Sequence, residues 1–105
     1  LMSKVFPLRR GHVLLVAALN ARGWTRYRLA AAVGCRFPVT ARPLARERGV
    51  GPDLAARINA ALDGAVPVES WGVAPTKREA AAFDAAYAAL LSRGADRLQP
   101  AQVSP

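Results

Sequence analysis

Among the side chains that could bind a ligand or take part in a reaction, arginines are the ones that recur at close spacing in this sequence. They are concentrated in its first half. Residues 1–48 hold ten lysines and arginines against one acid, Glu47, a net charge of +9. Residues 49–105 hold five against six acids, a net charge of −1. A guanidinium group presents its N–H donors in a rigid fork that matches phosphate oxygens and the edge of guanine. Such uneven charge is typical of a nucleic-acid-binding region beside a region with another task.

Catalytic and metal-binding chemistry finds little support in the sequence. The chain has one cysteine, Cys35, and one histidine, His12, which cannot build the ligand set of a zinc site. A single cysteine also forms no disulfide within the chain. We find no phosphate-binding glycine loop and no paired acid and base. We therefore expect no enzyme, no metal and no cofactor, with Cys35 packed as a small apolar residue and His12 exposed or at a helix end.

The elements that must position the arginines are helices, because apolar residues recur at helical spacing in most of the chain. We predict an all-α fold with five helices, at residues 12–21, 25–33, 38–42, 52–62 and 76–93. The segment GAVPVESWGVAP, residues 64–75, has two prolines and is predicted to be extended. Helix ends are marked by Thr25 as an N-cap, by Gly34 as a left-handed C-cap, and by Thr76 and Glu79 as a capping box.

The run from Thr25 to Ala55 resembles the Cro and phage-repressor class of bacterial helix-turn-helix regulators. In that class a T-x-x-x-L-A-x-x-x-G pattern precedes a reading helix, which is followed by a loop and a further amphipathic helix. The matching residues are Thr25, Leu29, Ala30, Gly34 and Cys35, then RGVGPDLA at residues 48–55 and ARINAALDGAVPVESW at residues 56–71. The resemblance covers residues 12–72 without a gap.

The resemblance implies a helix-turn-helix DNA-binding domain over residues 1–72, followed by a C-terminal helix and tail over residues 73–105. In such a domain the second helix of the pair enters the major groove and the first meets the phosphate backbone. Residues 36–42 then read base edges, arginine by bidentate contact with guanine and phenylalanine by packing on a thymine methyl. The implied DNA-binding residues are Arg9 and Arg10 in an N-terminal arm, Thr25, Arg26 and Arg28 at the backbone, Arg36, Phe37, Pro38 and Arg42 on the reading helix, and Arg46 and Arg48 in the next loop.

Two residues depart from the pattern of this class. Thr40 stands at a buried position where Val or Ile is usual, and Pro43 stands where Trp or Ile normally packs. A proline inside a helix removes one hydrogen bond and costs about 3 kcal/mol. We therefore predict a short reading helix at residues 38–42, which Pro43 ends or, as an alternative, kinks, with a separate turn over residues 43–46. Phe37 and Leu44 are expected to provide the packing that Thr40 and Pro43 cannot.

The C-terminal helix carries an apolar stripe without basic character. We expect this helix to end at Arg93–Gly94, with residues 98–105 as a loose tail. The stripe can fold back on the core of its own chain, or it can pair with a second copy, as a two-fold regulator requires. The stripe consists of Phe83, Tyr87, Leu90 and Leu91.

The favoured function is a sequence-specific transcriptional regulator that binds double-stranded DNA, of the phage-repressor or Cro type. An antitoxin or adaptor that keeps the helix-turn-helix shape without reading bases is an alternative, favoured by Pro43 and disfavoured by the charge of the first half. A recombination directionality factor is a third possibility, since it shares the basic, DNA-bending profile.

No apolar run reaches the roughly 20 residues of a membrane span. We expect a location in the cytoplasm of a bacterial cell.

Overall fold

The computed structural model describes the backbone of residues 6–103 and the side chains of residues 6–93. Its described part is all-α, as predicted, with five α-helices and one 3₁₀ helix and no strand. The α-helices are α1 (Arg10–Arg22), α2 (Arg26–Val33), α3 (Phe37–Leu44), α4 (Pro52–Ala61) and α5 (Lys77–Val103), and the 3₁₀ helix is Val68–Gly72. None of the described helices has the length and apolarity needed to cross a membrane.

One apolar core is shared by all five α-helices. Leu19 and Leu90 have no exposed surface, and burying a leucine side chain contributes about 1.5–3 kcal/mol. The helix α5 lies along α1, where the Asn20 side-chain amide donates to the Ala86 carbonyl at 3.1 Å. The residues of the core are Leu15, Val16, Ala18 and Leu19 of α1, Leu29 and Val33 of α2, Leu44 of α3, Ile58 of α4, Leu62 and Val66 after it, and Phe83 and Leu90 of α5.

The corner between α2 and α3 forms as its sequence predicts. Thr25 caps α2, its hydroxyl accepting the Arg28 backbone N–H at 3.1 Å. Gly34 ends α2 at a φ of +81°, a left-handed conformation in which any side chain would be strained. The chain turns over the three residues 34–36 and begins α3 at Phe37. This corner fixes which face of α3 lies against the core.

The helix α3 does not end at Arg42 as predicted, because it includes Pro43 and runs to Leu44. Pro43 lies in the last turn, so its missing N–H leaves only the Val39 carbonyl without a helical partner. The packing prediction holds for Leu44, which joins the core, but not for Phe37, which lies outside it. Thr40 is itself buried and donates its hydroxyl to the Phe37 carbonyl at 3.3 Å.

The segment between α4 and α5 is only partly extended, since it contains the 3₁₀ helix. Pro67 lacks an N–H but keeps its carbonyl, which accepts the Ser70 N–H at 3.0 Å and starts an i to i+3 turn. The turn brings Trp71 across the start of α1. A Cβ on Gly11 would overlap the Trp71 ring, so this approach requires glycine.

The predicted end of α5 at Arg93–Gly94 is wrong, because the helix continues to Val103. A glycine inside a helix costs about 1 kcal/mol relative to alanine, which good helix-forming neighbours offset. Residues 95–99 (ADRLQ) include such neighbours, and Pro100 stands only in the last turn. Of the predicted tail, residues 98–103 are therefore helical, and residues 104–105 lie outside the described part of the chain.

Candidate nucleic-acid interface

The helix α3 is amphipathic, with an outward face that carries cationic and small apolar side chains. The exposed residues Pro38, Val39 and Arg42 lie on the side opposite the core, and Arg36 precedes the helix as its exposed N-cap. The inward positions repeat at i, i+3 and i+4, which is the spacing of one helical face. The inward residues are Thr40, Pro43 and Leu44.

Two shallow concavities that share Pro38 and Arg42 bring the predicted arginines together. One is lined by Arg36, Pro38, Val39, Arg42 and Arg48 and measures about 220 Å³, below the roughly 300 Å³ at which small-molecule pockets begin. The other is lined by Arg26, Phe37, Pro38, Ala41, Arg42, Ala45 and Glu47. We call Arg26, Arg36, Arg42 and Arg48, which these concavities connect, the cationic surface.

The arginines of the cationic surface make no ion pair within the part of the chain that the structure describes. The ion pairs found there are Arg10–Glu79 and Arg57–Asp53, which lie elsewhere. Like charges held close together repel one another, and this repulsion opposes folding. A surface of this kind is suited to binding an anionic partner molecule, because several guanidinium groups can form hydrogen bonds to the same partner.

An aromatic pair connects α2 to α3 beside this surface. The Tyr27 and Phe37 rings stack at 4.0 Å between centres and 13° between planes. The Arg26 guanidinium carbon also lies 5.2 Å from the centre of the Phe37 ring, within cation–π range. One face of Phe37 is therefore occupied by the protein itself. The sequence reasoning missed Tyr27, although an aromatic residue two positions after an N-cap was a usable signal.

The predicted backbone-contacting residues of α2 have other roles in the fold as well. Thr25 is buried, and its hydroxyl is engaged in capping α2. The exposed Arg28 guanidinium lies 4.9 Å from the centre of the Trp24 ring. The N-terminus of α2 carries the partial positive charge of a helix dipole, without an acidic residue in its first turn.

The predicted N-terminal arm is anchored to the fold from residue 6 onward. The Phe6 N–H donates to the Arg46 carbonyl at 2.8 Å. Arg9 is the N-cap of α1, and Arg10 pairs with Glu79 of α5 at 3.1 Å. Arg46 is half-buried at a φ of +65°, in the loop that Phe6 contacts. Arg9, Arg10 and Arg46 therefore lie outside the cationic surface.

His12 lies at a helix end, in the first turn of α1, which is one of its two expected settings. The other setting, an exposed side chain, is wrong, because only 3% of the surface of His12 is exposed. It is the third residue of α1, and its ring meets Trp71 edge-on at 5.0 Å. Its Nδ1 accepts the Arg9 backbone N–H at 2.9 Å, so Nε2 carries the hydrogen of the neutral ring. Nε2 is buried and has no hydrogen-bond partner among the described residues. Burial lowers the pKa of His12, and the nearby carbonyl groups oppose this shift only in part.

The acid Glu47 lines the second concavity beside Arg26 and Arg42 and makes no ion pair within the described residues. The sequence shows it only as the single acid of the first half. An exposed carboxylate beside arginines repels phosphate, and it can accept a hydrogen bond from cytosine. Glu47 therefore marks a boundary of the cationic surface, and the sequence reasoning missed this role.

The apolar stripe of α5 folds back on its own chain. Phe83 is 5% exposed and Leu90 is fully buried, both within the shared core. Tyr87 and Leu91 are half-buried, and the Phe83 and Tyr87 rings stack at 5.6 Å.

Cys35 is half-buried rather than buried, and its Sγ lies 3.8 Å from Nη1 of Arg57.

No protein-family model matches this chain, and neither a curated protein nor a solved structure matches it.

Proposed function

We propose that this protein is a sequence-specific DNA-binding transcriptional regulator of the repressor or Cro type, with the outward face of α3 in the major groove. The observation that carries this proposal is the cationic surface, whose four arginines have no ion-pair partner among the described residues. The surface is centred on α3, whose position is fixed by the capped helix α2 and a tight glycine turn. A surface made of arginine forks fits an anion with regularly spaced charges, and duplex DNA is such an anion.

In this proposal the arginines divide between bases and phosphates. Arg36 and Arg42 flank the outward face of α3 and contact guanine in the groove, where arginine is the commonest specific partner. Arg26 and Arg48 lie on either side and contact phosphates, which fix register without reading sequence. The N-terminus of α2 adds its partial positive charge toward one phosphate.

The second candidate is a protein-interaction module, such as an antitoxin or adaptor, and the aromatic pair of exposed Tyr27 and half-buried Phe37 favours it. Tyr27 is 37% exposed beside Phe37, and tyrosine and arginine are enriched at protein interfaces. A recombination directionality factor would use the same surface and differ in bending the DNA. A gel shift with DNA from upstream of the protein's own gene separates a DNA-binding protein from an adaptor, and permuted duplexes report bending.

A homodimer remains part of the proposal, but with a smaller contact area on α5 than the sequence suggested. A two-fold regulator binds two half-sites through two copies. Phe83 and Leu90 are already buried in the chain's own core, so a second copy would use the half-buried Tyr87 and Leu91. Sedimentation of the protein with and without a two-site duplex tests this pairing.

The proposal is tested by the salt dependence of binding to duplex DNA. Each phosphate contact contributes a slope of about −0.9 to log K against log salt, so the contacts of Arg26, Arg48 and the N-terminus of α2 give about −3 for one copy of the protein. Fluorescence anisotropy at 50–300 mM salt measures this slope. A slope shallower than about −2 would contradict the assignment of the cationic surface to phosphates.

A further inference from the structure

Val39 is an exposed apolar residue that the packing of the fold does not explain. It is 41% exposed on the outward face of α3 and lies outside the core. Valine is also a weaker helix former than alanine or leucine, because its branched Cβ restricts χ1. Neither burial nor helix propensity therefore accounts for valine at this position.

The surroundings of Val39 are strongly cationic. It lines the same concavity as Pro38, Arg36, Arg42 and Arg48, so an apolar patch of two small side chains lies among three guanidinium groups. An apolar protein partner does not match this charge. A partner must combine negative charge with a small apolar group at close range.

We propose that Val39, supported by Pro38, packs against the 5-methyl group of a thymine adjacent to a guanine read by Arg36 or Arg42. This inference rests on the proposed function and specifies the base sequence that the surface recognises. In the major groove the thymine methyl is the apolar feature of the base edges, and guanine offers two acceptors that suit arginine. The charge of the concavity matches the phosphates on either side.

Phe37 is less suited to this contact, although its residue type suggests it. Tyr27 stacks on the Phe37 ring at 4.0 Å, and the Arg26 guanidinium lies over the same ring. Freeing the stacked face of Phe37 for a base would break its stacking on Tyr27, which is one of the contacts between α2 and α3. Phe37 instead positions Arg26 and Tyr27, and Val39 packs against the thymine 5-methyl group.

The test begins with a duplex selected from a randomised library by the wild-type chain. Each thymine of that duplex is replaced in turn by deoxyuridine, which removes only the methyl group. Losing one buried methyl is expected to weaken wild-type binding about fourfold at one or two positions. Val39→Ala should bind the thymine duplex about fourfold more weakly and show no further loss with deoxyuridine. Val68→Ala is the matched control, since Val68 is 39% exposed in the 3₁₀ helix, and it should behave as wild type.

Each contrary outcome has a distinct meaning. If the selected duplex is bound tightly but no deoxyuridine position weakens wild-type binding, or if Val39→Ala keeps the thymine preference, the inference is wrong and the proposed function stands. If Phe37→Leu abolishes the preference while Val39→Ala keeps it, the methyl contact belongs to Phe37. If no duplex is enriched and polyglutamate binds as tightly as random duplex at equal salt, the surface serves acidic proteins and both proposals fail.

Discussion

Where α1 meets its neighbours, arginine side chains bind the protein's own carbonyl groups, whereas on the cationic surface they have no such partner among the described residues. Arg93 of α5 donates to the carbonyls of Trp24 at 2.6 Å and Leu19 at 3.4 Å. Arg22 donates to the carbonyls of Leu62 at 3.1 Å and Ala18 at 3.3 Å. The arginines of the first kind hold helix ends together, whereas those of the second kind make neither an ion pair nor a side-chain hydrogen bond to a carbonyl among the described residues.

This difference separates arginines that serve stability from arginines that are available for binding. The carbonyl groups at a helix C-terminus lack helical partners, and a guanidinium satisfies them well. Exposed charges away from such groups contribute little to stability. Substitutions in the two regions should therefore affect two different measurements, unfolding and binding.

The largest expected effect comes from truncating an apolar residue in each region. Leu90→Ala should lower the free energy of unfolding by about 2–5 kcal/mol, because it removes a fully buried side chain and leaves a cavity. Val39→Ala should change it by less than about 0.5 kcal/mol, because the residue is exposed. Urea denaturation followed by circular dichroism measures both values. A comparable loss in the two variants would mean that the outward face of α3 is covered in solution.

A smaller effect is expected from truncating one arginine of each kind. Arg93→Ala should lower the free energy of unfolding by about 1.5–3 kcal/mol, since its charged hydrogen bonds to two carbonyls are lost. Arg36→Ala should leave it within about 0.5 kcal/mol. Denaturant titration of both variants under identical salt provides the comparison. Destabilisation by Arg36→Ala as large as that by Arg93→Ala would remove the distinction between the regions.

The capping role of Thr25 predicts an effect on stability rather than on binding. Thr25→Ala should cost about 1 kcal/mol, because it removes the hydrogen bond to the Arg28 N–H, and Thr25→Ser should restore most of it. DNA affinity, measured by anisotropy well below the unfolding temperature, should stay within about threefold. A large loss of affinity in a stably folded Thr25→Ala protein would instead favour the hydroxyl–phosphate contact that the sequence suggested.

The pH dependence of stability separates His12 from the exposed charges. Its pKa is lowered by burial, so below the unfolded value of 6.5 the unfolded chain binds a proton that the folded chain does not. The contribution of neutral His12 to the free energy of unfolding should therefore be fully present above pH 6.5, and it should be lost progressively as the pH drops below that value. His12 is the single histidine, so thermal unfolding between pH 7.5 and 5.5 reports on it. His12→Asn should remove this dependence, and an unchanged slope in that variant would assign it to other groups.

The sequence predicted the parts of the fold that local signals determine. Gly34 and Thr25 set the corner of α2 and α3, and the capping box of Thr76 and Glu79 forms with bonds of 3.0 and 3.1 Å. The end of α3 was predicted wrongly, because the cost of a proline depends on where the lost bond lies. Pro43 lies in the last turn of α3, where a single helical bond is lost, and the residue pattern alone does not reveal this position.

The candidate site was predictable in composition but not in arrangement. The arginines of residues 26–48 were evident from charge, but which of them share a surface depends on tertiary packing. Arg10 was expected in an arm and instead pairs with Glu79, a residue 69 positions away. Phe37 was expected at a base, and its stacking on Tyr27 depends on the angle between two helices. Val39 was overlooked because a valine in a helix is usually assigned to the core.

The most direct test of the account compares Arg42→Ala with Arg78→Ala on a selected duplex and on its scrambled sequence. Arg78 is exposed near the start of α5, so both variants lose the same charge. Arg42→Ala should weaken binding to the selected duplex by about 5- to 150-fold and to the scrambled duplex no more than Arg78→Ala does. Equal losses on the two duplexes for Arg42→Ala, or equal losses on the selected duplex for the two variants, would contradict the claim that α3 reads DNA sequence.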